Sequence, residues 1–280
     1  MNYRTILNQS SDLLKNIKIK SAKLDSELLL SNSLKISREN LLLNLNKEIN
    51  PNQKKKYQLL LEKRMKRVPM AYIIGYKNFW KSKFLVNKTV LIPRPDTELL
   101  VEEALNYLPK YKYKKILDIG VGSGCILISI LLERPQLSGV GLDISKNAIK
   151  IAKINAKLQQ VHNRITFVNT GIDKYNLGKY DLIVSNPPYI KKIKISRLEE
   201  DIKNFEPKSA LDGGQDGYSK IKKVIKKSSN ILKRKGNLIL EIGYDQAYNV
   251  SLLLQKYGFY INKVSKDLSN KDRCIVSTKH

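Results

Sequence analysis

The chain is poor in the residues that usually announce metal or disulfide chemistry: 280 residues hold two cysteines, two histidines and one tryptophan. Cys125 and Cys274 are too few for a disulfide framework or a cysteine zinc site, and His162 and His280 cannot complete one, so a reducing cytoplasm is the expected compartment. Long apolar runs are missing too. The longest, such as Cys125 to Leu132, fall far short of a membrane span, and no basic start leads into an apolar stretch as in a signal peptide. Acidic residues are scarce, 25 against 52 Lys and Arg, for a net charge of +27. That excess suggests nucleic acid, but its distribution argues for lysine-rich solvated faces. Residues 1–75 carry 15 Lys and Arg against 6 Asp and Glu, the remainder is spread along the chain, and 42 of the 52 basic residues are Lys. Arg, the residue suited to bidentate phosphate recognition, is the minority. Neither direct nucleic-acid binding nor a membrane is expected, and a monomer is.

In chain order, residues 1 to about 70 read as a helical module. Leu13, Leu14 and Ile17, then Leu24, Leu28 and Leu29, fall at helical spacing, with Asp25 and Glu27 near a helix start. Asn50-Pro51 is a stop, and Pro51 can open a helix carrying Leu59, Leu60, Leu61 and Met65. The basic runs Lys54 to Lys56 and Lys63 to Arg67 read as solvated faces. Residues 71–90 turn aromatic and β-branched around Gly75 and Asn87-Lys88, which predicts a linker with a β-hairpin. Residues 91–280 form the second domain. In it Asp96 or Thr97 is expected to cap a helix through Leu99 and Leu105. From Lys114 strand and helix alternate: Ile116 to Ile119, Cys125 to Glu133, Val140 to Asp143, Lys146 to Leu158, Ile165 to Asn169, Tyr180 to Val184. This predicts an α/β fold, a mostly parallel sheet with helices on both faces, closed by an antiparallel pair near Phe259 to Val264 and Cys274 to Ser277.

The stretch with chemistry in it is Ser185-Asn186-Pro187-Pro188-Tyr189. An apolar strand stops at Asn and two prolines that cannot continue it, leaving a stiff polar elbow at a strand's C-terminal edge, where open α/β sheets bind ligands. The Asn186 side-chain oxygen and the Pro187 carbonyl are adjacent acceptors able to hold both hydrogens of a planar NH2 group, with Pro188 restricting the backbone and Tyr189 offering a face to pack on it. A delocalised NH2 is a poor nucleophile. Acceptors that draw its N–H bonds out of plane localise the lone pair and aim it at an electrophile.

A second feature lies upstream. Asp118-Ile119-Gly120-Val121-Gly122-Ser123-Gly124 follows a strand and opens a helix, with a GxGxG spacing that misses the dinucleotide pattern GxGxxG. Asp143, ending the next strand, is placed to accept hydrogen bonds from ribose hydroxyls. Loop, acid and elbow together predict an adenosine-bearing cofactor beside an NH2 grip. The electrophile that fits is S-adenosylmethionine, whose methyl is taken by in-line attack without a metal or a covalent nucleophile.

These residues resemble a known family. Ile92-Pro93-Arg94-Pro95-Asp96-Thr97-Glu98, the Asp118 to Gly124 loop, Asn186-Pro187-Pro188-Tyr189 and Phe205-Glu206-Pro207 are similar to the release-factor glutamine methyltransferases, the HemK/PrmC family, over essentially the whole chain. The resemblance implies a seven-stranded Rossmann-like class I methyltransferase domain and, as acceptor, the glutamine of the Gly-Gly-Gln loop in class 1 peptide-chain release factors, which the helical module would help engage. It implies that Gly120, Val121, Gly122, Ser123, Gly124, Asp143, Ile172 and Asn186 hold the cofactor, and that Asn186, Pro187, Pro188 and Tyr189 form the catalytic grip. Asn-Pro-Pro-Tyr alone also fits adenine-N6 DNA methyltransferases and glutamine methyltransferases of ribosomal proteins, and a non-enzymatic ribosome-associated module that binds the cofactor is the third alternative. Two departures stand out: Thr170-Gly171-Ile172 where the family often has an Asp-Trp pair, and Asn78 for a usual Glu before Phe79-Trp80. Gly213-Gly214-Gln215 mimics the substrate loop but falls where the family has a glycine-rich turn.

Overall fold

The computed structural model describes residues 1–108 and 114–280. The chain divides into two compact units, Met1–Gly75 with Glu200–Phe205, and Tyr76–Glu199 with Glu206–His280. The first is built on α1 (Tyr3–Asn16), α2 (Ala22–Leu34), α3 (Arg38–Leu43), α4 (Pro51–Met65) and α5 (Met70–Ile74), plus a short helix at Glu200–Phe205. Side-chain caps start three of these helices, with Ser37 accepting from the Asn40 N–H at the start of α3. The Asn2 side chain accepts from the Thr5 N–H, and Asn50 and Gln53 form a reciprocal capping box with Pro51 in the first turn of α4. Leu14, Leu29, Leu30 and Leu41 are fully buried beside Tyr57 and Leu61, each leucine contributing about 1.5–3 kcal/mol. Leu13, Leu24, Leu59 and Met65 share the helical spacing but are exposed.

The basic run of α4 departs from expectation. Arg64 is buried rather than solvated, its Nε 2.7 Å from Asp25 Oδ2 and its Nη1 2.6 Å from Asp201 Oδ2. Arg67 Nε lies 2.7 Å from Glu200 Oε2, and its Nη2 donates to the Ile17 carbonyl. A guanidinium tolerates burial only when its N–H groups find anionic partners, and here one comes from α2 and one from far along the chain.

In the second unit β1 (Tyr76–Phe79) and β2 (Ser82–Leu85) form an antiparallel hairpin. Then follow α6 (Glu98–Tyr107), β3 (Lys115–Ile119), α7 (Cys125–Glu133), β4 (Ser138–Asp143), α8 (Lys146–Leu158), β5 (Ile165–Asn169) and β6 (Tyr180–Ser185). After the Glu200–Phe205 helix, α9, come α10 (Ser219–Ile231), β7 (Leu232–Glu241), α11 (Ala247–Lys256), β8 (Phe259–Lys266) and β9 (Asp272–Lys279). The seven-stranded sheet has the order β5-β4-β3-β6-β7-β9-β8. Strands β3 to β7 run parallel, and β9 is antiparallel to both of its neighbours. Alternate sheet residues divide the core in two: Ile116, Leu182 and Ile239 pack with α6 and α7, whereas Leu117, Ile183 and Leu238 pack with α10 and α11. β7 starts at Leu232, earlier than its apolar run suggests, because Lys233-Arg234-Lys235 hides its beginning.

Candidate active site

The order of the sheet decides where a ligand fits. β3 has β4 on one side and β6 on the other, so the connections leaving the C-terminal ends of β3 and β6 diverge and open a crevice. Ile119 faces Ser185 in register, and Ser185 Oγ donates to the Ile119 carbonyl at 2.7 Å, so glycine loop and Asn186 elbow begin side by side. A cavity there is lined by Gly120, Gly122, Asp143, Ile172, Asn186, Pro187 and Pro188, with Leu91 and Pro207 at its wall.

Gly120 shows why the loop is glycine. Its φ is +81°, in the left-handed region, and a Cβ there would meet nothing within 4 Å, so backbone conformation rather than space excludes a side chain and leaves the peptide open. The Gly120 and Val121 N–H groups both donate to the Leu142 carbonyl at 2.8 Å, and Asp143 Oδ2 accepts from the Gly122 N–H at 3.0 Å, tying the loop to the end of β4. Asp143 Oδ1 accepts from the Ser145 N–H at 2.8 Å, and burial raises its pKa against these bonds. Val121, Ser123 and Gly124 do not line the cavity. Val121 packs on Ile149, Ala152 and Phe167, the Ser123 carbonyl accepts from Asn155 Nδ2 at 2.8 Å, and Gly124 caps α7. They shape the loop from behind. At the end of β3, Asp118 is fully buried with neither carboxylate oxygen hydrogen-bonded among the described residues, and burial pushes its pKa up to about 7.

The elbow is braced from two sides. Asn186 Nδ2 donates to Thr97 Oγ1 at 3.2 Å, Thr97 Oγ1 donates to Glu241 Oε2 at 2.7 Å, and Tyr189 OH donates to Glu241 Oε1 at 3.2 Å. Arg273 donates to Tyr189 OH at 3.4 Å while pairing with Asp267 at 2.9 Å and Asp96 at 3.5 Å. Burial pushes Glu241 up to about 7, against the Thr97 bond and the Arg273 charge. Thr97 stands at the N-cap of α6 but its side chain makes no cap bond: its hydroxyl is engaged in this buried chain, and α6 starts from a single tight turn over Pro95–Thr97. Tyr189 does not line the cavity either. Its ring packs on the core and its hydroxyl is taken by Glu241, so the expected aromatic face is turned inward. On the other side, Gln246 Nε2 donates to the carbonyls of Tyr189 and Gly217, both at 3.2 Å, and the Gly213 N–H donates to Ile190. A Cβ on Gly213 would lie 2.8 Å from the Tyr189 carbonyl carbon and 2.9 Å from the Pro188 oxygen, so the Gly213-Gly214 turn is a backing for the elbow. The two outer motifs also meet: Glu206 accepts from the Ile92 N–H at 3.1 Å and pairs with Arg94. Glu241, Gln246 and Arg273 were not legible as site residues; the one signal was a carboxylate ending the apolar run Leu238-Ile239-Leu240.

Two family models match, the PrmC N-terminal domain over residues 5–75 and the Methyltransferase small domain over residues 95–202. The release factor glutamine methyltransferase of Caulobacter vibrioides is 36% identical over 275 residues, covering 97% of this chain and 94% of that protein. The chain belongs to the release factor glutamine methyltransferase family. The member from Fusobacterium nucleatum is 38% identical, covering 98% of this chain and 78% of that protein. The chain spans 56% of the length of the bifunctional methyltransferase of Rickettsia typhi, to which it is 36% identical. Among solved structures, a methyltransferase from Pyrococcus furiosus shares the fold with a TM-score of 0.52 at 14% identity, over 81% of this chain and 98% of that one. A ribosomal protein methylase from Lactobacillus delbrueckii does so with a TM-score of 0.51 at 20% identity, over 73% of this chain and 90% of that one. Within the family, the Asn78 departure leaves the hairpin anchored: the Trp80 N–H donates to Glu98 and its indole N–H to Glu133, both at 2.7 Å. Gly171, at the other departure, lines the cavity and brings no side chain to it.

Proposed function

We propose that this chain methylates the side-chain amide nitrogen of a glutamine, that of the Gly-Gly-Gln loop of class 1 release factors, using S-adenosylmethionine. The observation that carries this reading is the meeting of Asn186 and Pro187 with Gly120, Gly122 and Asp143 around one cavity. When bound, S-adenosylmethionine would supply an electrophilic methyl on a sulfonium, whose S–CH3 bond breaks as the N–CH3 bond forms so that a neutral thioether departs, and the methylated nitrogen sheds one proton to solvent; no protein nucleophile is needed. The cofactor's fit rests on the donor set: Asp143 keeps lone pairs for ribose hydroxyls, and the glycine backbone is open. Asn186 Oδ1 and the Pro187 carbonyl accept the two amide hydrogens, orienting the nitrogen lone pair toward the methyl. Ile172 offers an apolar surface to the adenine, and the helical residues 1–70 engage the release factor.

Incubation with radiolabelled cofactor tests this. Label is expected on the glutamine of a release factor and not on duplex DNA; label on DNA, or on a release factor whose Gly-Gly-Gln glutamine is replaced, overturns it.

A further inference from the structure

Asn186 must present oxygen, not NH2, to the acceptor amide, and an Asn side chain can be turned either way. We propose that Thr97 and Glu241 are positioning residues that set the Asn186 amide with Oδ1 toward the cavity. This inference rests on the reading that Asn186 grips the acceptor NH2.

The argument is one of hydrogen-bond direction. A threonine hydroxyl has a single proton, and an ionised carboxylate can only accept. With Glu241 Oε2 at 2.7 Å, the Thr97 proton is committed to Glu241, and Thr97 Oγ1 offers only lone pairs to Asn186. The Asn186 atom 3.2 Å away must then be Nδ2, which leaves Oδ1 facing the other way. The opposite orientation would set two acceptors against each other with a carboxylate behind them. A protonated Glu241 reverses the chain, because it can donate to Thr97, which then donates to Asn186 Oδ1 and turns the NH2 toward the substrate. The groups facing Glu241 are Thr97 and Asp96 ahead of α6, Tyr189 after β6, Arg273 and Cys274 on β9, and Cys125 on α7. Among these Arg273 is the one cation, and it favours the ionised, productive state. Because burial pushes Glu241 up to about 7, the reversal falls within an accessible pH range.

The test uses the full-length protein and its Thr97→Val and Thr97→Ser variants, with two readouts. In 15N-labelled protein above neutral pH, one Asn186 side-chain N–H proton is expected downfield and exchange-protected in wild type and Thr97→Ser, and neither in Thr97→Val. In the methylation assay, Thr97→Val is expected to lower kcat about tenfold, as one lost hydrogen bond of about 1.4 kcal/mol implies, with the KM for cofactor unchanged and Thr97→Ser close to wild type. Wild-type kcat is expected to fall as pH drops through 7, without that inflection in Thr97→Val. An unchanged Asn186 resonance in Thr97→Val, or equal impairment of the Val and Ser variants, overturns the proposal. Failure of the wild type to label a release factor counts against the assigned reaction instead, and the amide resonances still decide the orientation.

Discussion

Buried charge in the helical unit and buried charge at the ends of β3 and β7 are treated in opposite ways, although elsewhere in the sheet unit buried Glu206 and Glu103 pair with Arg94 and Lys263. In the helical unit, buried Asp25 meets buried Arg64 at 2.7 Å, and Arg64 finds a second carboxylate in Asp201. In the sheet unit, buried Asp118 has no hydrogen-bond partner among the described residues, and buried Glu241 is met by two hydroxyls rather than by a direct ion pair. Paired charges hold helices together. Carboxylates left short of partners at strand ends cost stability and keep binding capacity in reserve, which is why such groups collect at functional sites.

The contrast can be broken most forcefully in the helical unit. Arg64→Ala leaves buried Asp25 without its cation and is expected to cost about 3–5 kcal/mol, read as a lower denaturant midpoint; a loss below about 1 kcal/mol would mean that the pair is held no better than a surface one. In the sheet unit the largest effect should be on rate. Asn186→Ala is expected to lower methyl transfer by about 10²–10³-fold, as removing one aimed hydrogen-bonding group does, with cofactor affinity nearly intact by calorimetry. Asp143→Ala should do the converse, weakening cofactor binding by about 10–100-fold through lost charge-assisted hydrogen bonds, and normal affinity would remove Asp143 from the cofactor's contacts.

The smallest effect concerns pH. Asp118, ordinarily near 3.8, is raised to about 7 in the fold, so the folded chain holds a proton that the unfolded chain has released between those values. Stability from this group is complete below the unfolded pKa and is lost as pH rises through 7. Without cofactor, the melting temperature should decline across that window, and Asp118→Asn should flatten the decline. Equal slopes would show that Asp118 is solvated or paired.

Much of the site was legible because its signals are local. Asn186-Pro187-Pro188 stops a strand by its own stereochemistry, the Gly120 to Gly124 loop turns on its own φ angles, and Asp143 ends an apolar run, so each could be placed at a strand tip from neighbours alone. Thr97 was legible as a helix start but not as a partner of Glu241, which lies 144 residues away and only meets it once β7 enters the sheet beside β6. The sequence marks Tyr189 as a packing face; its inward turn depends on Glu241 and Arg273, which no local pattern brings near it.

Helical and strand periodicity, caps and the proline elbow are properties of neighbouring residues, and the amino-acid order determined them: the α/β alternation, the helical beginning and the polar ends of three strands. Strand order, the inward turn of Arg64, the recruitment of Glu200–Phe205 to the helical unit and the chain from Asn186 through Thr97 to Glu241 came only with the tertiary structure. Burial, and with it the strength of a charge and the direction of a hydrogen bond, depends on what packs against a residue from elsewhere in the chain.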